Sequence, residues 1–293
     1  MALDSISLEV APAEIFVFVG PNGGGKSTLF RILSTLMPFR EGQVEVLGFD
    51  LRTARDQVRQ RIGVVFQMPS LDKKLTVAEN LKYQSALYGL HGETARWREA
   101  ALMEQLGLTD RRGDITENLS GGLRRRVELA KGMLHDPKLL LLDEPSTGLD
   151  PAARAAMWQY LNRIREEQGV TVVLTTHLLE EADHADRIGI LDQGHLVAVD
   201  SPTRLKNQVG GDTVSVRGPN LTAICEKIQQ TLKLEPKLLA DTVRLEAEDG
   251  PNMIKRIVEI CPGEIDHITL SKPSLEDVFI AQTGKVFSEE GQG

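Results

Sequence analysis

Apolar positions along this chain follow two regimes. In the first 210 residues, short apolar runs at 15–19, 61–66, 138–142, 170–175 and 186–191 alternate with stretches where apolar residues recur every three or four positions. Several of these runs are apolar throughout. Such runs suit strands buried on both faces, and so predict an α/β fold with a mainly parallel sheet between helices. Residues 76–113 depart from the alternation. Leu81, Ala86, Leu87, Leu90, Trp97, Ala101, Leu102 and Leu106 return at helical spacings, which predicts a helical insert within about 68–135. The paired glycines at Val209-Gly210-Gly211 predict a domain boundary, giving a first domain over 1–210. Beyond it the pattern predicts a strand at 212–218, a helix at 221–233, strands near 236–247, a helix at 252–260 and a strand at 264–270. This βαββαβ order suggests a small ferredoxin-like α+β domain over 211–284. A last helix is expected after Ser274, a good N-cap with Glu276 and Asp277 in the first turn. Residues 285–293 are expected to form a disordered tail.

Composition narrows the function. No apolar run approaches the ~20 residues that a membrane-spanning helix needs, and no basic stretch followed by an apolar one opens the chain. If the protein works at a membrane, another chain is expected to supply the spans. The formal charge of −8 argues against tight nucleic-acid binding, which depends on neutralising phosphates. The local exception, Arg124-Arg125-Arg126, has a solvated helix face as its simplest reading. Cys225 and Cys261, with no CxxC, read as cytosolic thiols rather than a disulfide framework or a metal site.

The strongest chemical signal is Gly20-Pro21-Asn22-Gly23-Gly24-Gly25-Lys26-Ser27-Thr28. Two glycines with four residues between them, then Lys and Ser, between an apolar strand and a helical run, match a phosphate-binding P-loop. Glycines let backbone N–H groups approach phosphate oxygens, and the helix N-terminus behind them adds partial positive charge. Lys26 is expected to reach the β- and γ-phosphates of ATP, and the Ser27 hydroxyl to ligate Mg²⁺. The second signal is Leu139-Leu140-Leu141-Leu142-Asp143-Glu144, a buried strand delivering two carboxylates to its C-terminal edge, where ligands of α/β sheets gather. Asp143 is expected to hold Mg²⁺, and Glu144 to orient and polarise the attacking water.

A third stretch is more specific. Leu119-Ser120-Gly121-Gly122-Leu123-Arg124-Arg125-Arg126, 20 residues before Leu139, resembles the signature motif of ABC ATPases. The run Asp143-Glu144-Pro145-Ser146-Thr147-Gly148-Leu149-Asp150 resembles that family's Walker B segment and D-loop, the latter carried by Ser146, Gly148, Leu149 and Asp150. Gln67, after the apolar run at 61–66, looks like the Q-loop glutamine, a Mg²⁺ and water contact. His177, closing the run through Thr176, looks like the switch histidine that contacts the γ-phosphate. The resemblance implies a P-loop ABC ATPase cassette that hydrolyses ATP with Glu144, His177 and Gln67. It also implies a second copy of the chain, whose signature at Leu119, Ser120, Gly121 and Gly122 covers the P-loop in trans. Residues 212–280 resemble a C-terminal extension. The ending Lys272-Pro273-Ser274-Leu275-Glu276-Asp277-Val278-Phe279-Ile280 looks like that of ATPases serving ABC-2 type exporters, drug-resistance exporters among them. An ABC-2 type membrane permease would then be the partner, with the chain peripheral on the cytoplasmic face of the membrane. Permease contacts are expected from residues 68–90.

Two departures from the family pattern carry expectations. Leu123 replaces the usual Gln, and activity is expected to survive because Ser120 and backbone N–H groups make the phosphate contact. Met1 lies only 19 positions before Gly20, so the first strand, whose aromatic residue stacks on adenine, is expected to be missing. The competing reading is a soluble ABC ATPase acting on ribosomes or DNA. Those usually carry two cassettes or a long coiled coil, neither of which the pattern shows. Another is a regulatory module that binds without hydrolysing, against which Glu144 and His177 both speak.

Overall fold

The computed structural model describes residues 3–239, 241–285 and 287, so the expected tail lies, apart from its first residue and Phe287, outside the described residues. The first elements are β1 (Ile15–Val19), α1 (Lys26–Leu33), β2 (Glu45–Val46), β3 (Phe49–Asp50), α2 (Arg55–Arg59) and β4 (Ile62–Val65). There follow α3 (Val77–Leu87), α4 (Gly92–Gln105), α5 (Gly121–Met133), β5 (Leu139–Asp143), α6 (Pro151–Gln168), β6 (Thr171–Thr176), α7 (Leu179–Ala182), β7 (Arg187–Asp192) and β8 (His195–Asp200). The remainder is α8 (Pro202–Val209), β9 (Asp212–Arg217), α9 (Leu221–Leu232), β10 (Lys237–Leu238), β11 (Val243–Ala247), α10 (Gly250–Ile260), β12 (His267–Ser271) and α11 (Leu275–Thr283).

The main sheet has the order β4-β5-β6-β1-β7-β8. Every pairing from β4 through β7 is parallel, so these strands carry their C-termini to one edge. The apolar runs form its centre, and β1 is buried at all five positions. Phe16, Phe18, Phe30, Val58, Ile62, Leu141 and Leu191 share one core cluster. Leu3, Ile6, Leu8 and Val10 pack against it without forming a strand. The edge strand β8 carries an apolar run at 196–199 that the expected strands leave out, and its residues are half-buried apart from the exposed His195.

The helical insert is real, but its apolar stripe is only partly a core stripe. Leu81, Leu102 and Leu106 are buried, whereas Leu87 and Trp97 are 81% and 70% exposed. Helical spacing alone cannot tell a core face from a face left for a partner. At its start α3 is closed by a capping box, Thr76 accepting from Glu79 N while the Glu79 carboxylate accepts from Thr76 N.

One compact unit ends at Val199 and the second begins at Asp200. The boundary therefore falls ahead of the Gly210-Gly211 break. The reason is α8: Ser201 caps it, Pro202 opens it, and the helix packs on α11 within the second unit. Gly211 is held by proximity, since a Cβ there would lie 2.4 Å from Ala247 O. The second unit has β9-α9-β10-β11-α10-β12 and the sheet order β10-β11-β9-β12, antiparallel throughout. This is the ferredoxin-like topology that the βαββαβ order suggested. Val214, Val216, Ile224, Ile228, Val243, Leu245 and Ile257 form its core. Ser274 caps α11 in a capping box with Asp277.

Candidate functional site

All the strand-borne candidates gather at the C-terminal edge of the parallel sheet, as expected for an α/β ligand site. The loop after β1 is the P-loop, and its glycines are needed for contact as well as for flexibility. A Cβ on Gly20 would sit 2.1 Å from Leu191 O, and one on Gly24 would sit 3.0 Å from the same oxygen. Gly194 N donates to Gly24 O at 3.0 Å, so the β7–β8 turn braces the loop from beneath. Gly25, at φ 105°, precedes α1 in a conformation other residues avoid. Nothing local in the sequence marks Leu191 or Gly194 as part of the site. Only the parallel pairing of β1 with β7 brings them there.

Lys26 is 4% exposed and folds over its own loop, donating to Gly20 O at 2.7 Å and Pro21 O at 3.1 Å. Its Nζ lies 3.9 Å from Glu144 Oε1. Burial lowers the Lys26 pKa, against the opposing pull of the Glu144 and Asp143 carboxylates. Asp143, the last residue of β5, accepts from Thr175 Oγ1 at 2.6 Å. Burial pushes its carboxyl above the ordinary value, a trend the Thr175 hydroxyl opposes.

Glu144 is the centre of the site. Its backbone turns into the left-handed region at φ 44°, unusual for a residue with a Cβ. The turn is held because Glu144 N donates to both the carbonyl and the hydroxyl of Thr175 on the neighbouring strand. Its Oε2 then collects Gln67 Nε2 at 3.0 Å, His177 Nδ1 at 3.1 Å and Thr147 Oγ1 at 3.4 Å. Gln67 and His177 thus arrive from the ends of β4 and β6, on either side of β5, and fix one carboxylate in orientation. Thr175 and Thr147 bond the two carboxylates, and the motif reading gives neither a place in the site. The Thr175-Thr176-His177 sequence held the only hint of the first.

The donor set fits Mg²⁺. This cation takes hard oxygen ligands and is usually held through one or two carboxylates, waters and substrate phosphates. The Ser27 hydroxyl and the Asp143 carboxylate stand at the loop and the strand edge, and Gln67 spends its amide N–H on Glu144, leaving its oxygen as a possible ligand. The charge that burial disfavours on Asp143 is the one that a cation would compensate.

The signature stretch is built as a separate helix entrance. Ser120 caps α5, its hydroxyl accepting from Leu123 N at 3.3 Å, with Gly121 and Gly122 forming the first turn. Leu119 is buried beneath it. The Ser120 hydroxyl bonds within its own helix start, and Lys26 bonds to carbonyls of its own loop. The entrance packs beside the D-loop and the start of α6: a Cβ on Gly121 would lie 3.7 Å from Gly148 O, and one on Gly122 would meet the Ala153 Cβ at 2.9 Å. In the D-loop Ser146 is buried and accepts from Leu149 N, Gly148 has φ 74°, and Asp150 caps α6 through Ala153 N at 2.8 Å. One arginine reading is corrected. Arg125 does not lie on a solvated face but is 6% exposed and paired with buried Glu128. A three-residue charge run wraps through most of a helical turn, so one member must face inward.

Comparison with known proteins agrees with this geometry. Residues 3–147 match the ABC transporter family model, and residues 201–283 match the ATP-binding protein DrrA1-3-like C-terminal domain. The daunorubicin resistance ATP-binding protein DrrA2 of Streptomyces coeruleorubidus is 38% identical, over 97% of this chain and 90% of its own length. The Nod factor export ATP-binding protein I of Burkholderia orbicola is 33% identical, over 97% of this chain and 93% of its own. Among solved structures, the dimeric post-hydrolysis state of the ATP-binding cassette MJ0796, bound to ADP and Pi, superposes with a TM-score of 0.63 at 29% identity, covering 68% of this chain and 90% of that one. With P-loop, paired carboxylates, glutamine and histidine assembled at one sheet edge, the chain belongs to the ABC transporter family as an ATP-binding, ATP-hydrolysing subunit.

Proposed function

We propose that two copies of this chain close around ATP at the cytoplasmic face of the cell membrane and drive an ABC-2 type permease that exports its substrate. The observation that carries the dimer reading is the separation of two half-sites within one chain. The P-loop, Asp143, Glu144, Gln67 and His177 share one edge, while the signature helix opens elsewhere, with Leu123 N–H taken by Ser120 and the N–H groups of Gly121 and Gly122 left for an anion. A two-fold pairing places the Ser120–Gly122 entrance of one copy against the nucleotide on the P-loop of the other, making two equal sites. The γ-phosphate then ties the copies together, and its loss lets them part.

In this reading Lys26 leaves its loop carbonyls for the β- and γ-phosphates, and Glu144 takes up and polarises the attacking water. His177 and Gln67, already bonded to that carboxylate, hold its orientation and face the γ-phosphate. Ser27, Asp143 and Gln67 hold Mg²⁺, which when bound neutralises charge on the phosphates. In-line displacement needs positioning more than covalent chemistry, which suits a base fixed by three neighbours. Export is supported by the match of 201–283 to the DrrA1-3-like domain and by the names of the resistance and export relatives. No described helix is long and apolar enough to cross a membrane, which fits a separate permease. For docking, residues 68–90 offer Met68, Tyr83 and Leu87, all strongly exposed, the last two lining a groove of about 400 Å³ with Leu75 and Lys131.

Glu144→Gln tests the core of the proposal. Turnover measured by phosphate release falls by about 10²–10⁴, the range for loss of a general base, while ATP still binds and shifts the chain to a dimer in gel filtration. Hydrolysis at the parent rate would remove Glu144 from the reaction.

A further inference from the structure

The signature helix also grips the loop that carries Gln67. Arg125, Glu128 and Lys131 lie three residues apart on one face of α5. Arg125 Nη1 donates to Phe66 O at 2.9 Å, and its Nη2 reaches Gln67 O at 3.5 Å. The same Nη1 lies 3.0 Å from Glu128 Oε2. Glu128 Oε1 accepts from Ser70 N at 2.7 Å, and Lys131 Nζ donates to Ser70 O at 2.6 Å. Both ends of the 66–70 segment are therefore fixed to α5, and Gln67 lies between them with its side chain on Glu144. Arg125 and Glu128 are 6% and 3% exposed, so water cannot stand in for either partner.

A buried ion pair adds little net stability, because desolvation offsets most of the attraction. Apolar residues would serve the packing as well. They could not hold two backbone carbonyls and an amide in one register. The guanidinium fork and the carboxylate do that, since they present donors and acceptors at fixed separations. Five residues, about 7.5 Å of helix, separate Arg125 from Ser120 at the mouth of the same helix.

We propose that the Arg125–Glu128 pair is a positioning link between the two ATP sites: it makes Gln67, in one site, move with the signature helix that serves the other. Neither residue touches nucleotide. Closure of one signature on the partner's ATP carries α5, and with it the 66–70 segment, so the Gln67 side chain, bonded to Glu144 in the nucleotide-free chain, is repositioned when the opposite site fills. The link rests on the two-copy reading above.

The test uses the purified full chain, with steady-state ATP hydrolysis giving kcat, KM and the Hill coefficient. The variants are Arg125→Met with Glu128→Leu, Arg125→Lys, and Gln67→Ala as reference. The double variant removes both buried charges together and so avoids stranding one. It is expected to lose about tenfold in kcat, a misplacement-sized effect, with KM changed less than about twofold and a parent Hill coefficient above 1 brought to 1. Arg125→Lys keeps the charge but not the fork, and is expected to lose about two- to fivefold in kcat at the parent KM. If the double variant fails to fold, the lysine variant decides. Parent kcat and Hill coefficient in the folded variants overturn the link, as does a parent Hill coefficient of 1. Gln67→Ala separates the two readings. If it is slow while the link variants are normal, only the link fails. If it runs at the parent rate, the assignment of Gln67 itself fails.

Discussion

The two units of this chain bury different things. The first keeps Lys26, Asp143, Glu144, Arg125 and Glu128 nearly out of solvent, each engaged by specific partners. The second has a core of Val, Ile, Leu, Ala and Cys, with its ion pairs Lys227–Glu264, Arg217–Asp241 and Lys272–Asp212 at the rim. Its buried charge among the described residues is Asp277, spent on capping α11 and pairing with Arg244. Apolar burial stabilises, whereas buried charge is tolerated when it is paired or used. The contrast places the chemistry in the first unit and assigns the core of the second to holding its own shape.

The contrast can be broken from either side. After Glu144→Gln, the largest effect is expected for Lys26→Met, which removes the cation that the proposed function assigns to the phosphates. Turnover falls by about 10²–10³, as for loss of a charge-stabilising donor, while the denaturation midpoint changes little; a mutant with parent kcat would separate Lys26 from the chemistry. Next is Ile257→Ala in the second unit, fully buried in its apolar core. It is expected to destabilise by about 2–5 kcal/mol, read by urea denaturation, and to leave ATPase activity per folded molecule intact. Lost activity in folded protein would show that the second unit enters the reaction.

Asp143→Asn has a smaller effect, and its sign follows from burial. The folded carboxyl titrates above 3.8, so between that value and the folded pKa the native state holds more protons than the unfolded one. The stability contributed by Asp143 is thus fully present below 3.8 and is lost as pH rises through the folded pKa. At pH 7 the nucleotide-free Asp143→Asn variant melts higher than the parent, by about 2–4 °C for each kcal/mol relieved. The gain disappears in acid, and a lower Tm at pH 7 would show that Lys26 and Thr175 more than offset the burial. The smallest effect is Lys272→Ala, which removes an exposed partner of Asp212. Its melting midpoint should match the parent's, since surface pairs contribute little. A clear drop would mean that the rim of the second unit matters more than its exposure suggests.

The contact residues of the site could be read where a short segment carries its own requirement. The P-loop needs glycines beside Lys26 and Ser27, the carboxylates follow an apolar strand, and Ser120 must precede a helix. Gln67 and His177 could be named by resemblance, yet their meeting at Glu144 depends on β4, β5 and β6 lying side by side. Arg125 was misread, because a run of three arginines looks solvated until the loop it serves is in place. Leu191 and Gly194 carried no signal, since both act on the P-loop through backbone oxygen and nitrogen atoms that any residue possesses. Leu87 and Trp97 were placed on helices correctly, but periodicity did not show that they face outward.

By itself the sequence determined the central strands of the first unit, its helical insert, the βαββαβ order of the second unit and the identity of the chemical groups. Local backbone preference and side-chain chemistry act over a few residues and need no distant partner. Tertiary structure alone decided the domain boundary, through the packing of α8 on α11, and the choice of which arginine is buried. It also decided the assembly of three strand ends around Glu144. Those outcomes depend on strand order and helix docking, where residues up to 110 positions apart, Gln67 and His177, come to share one carboxylate oxygen.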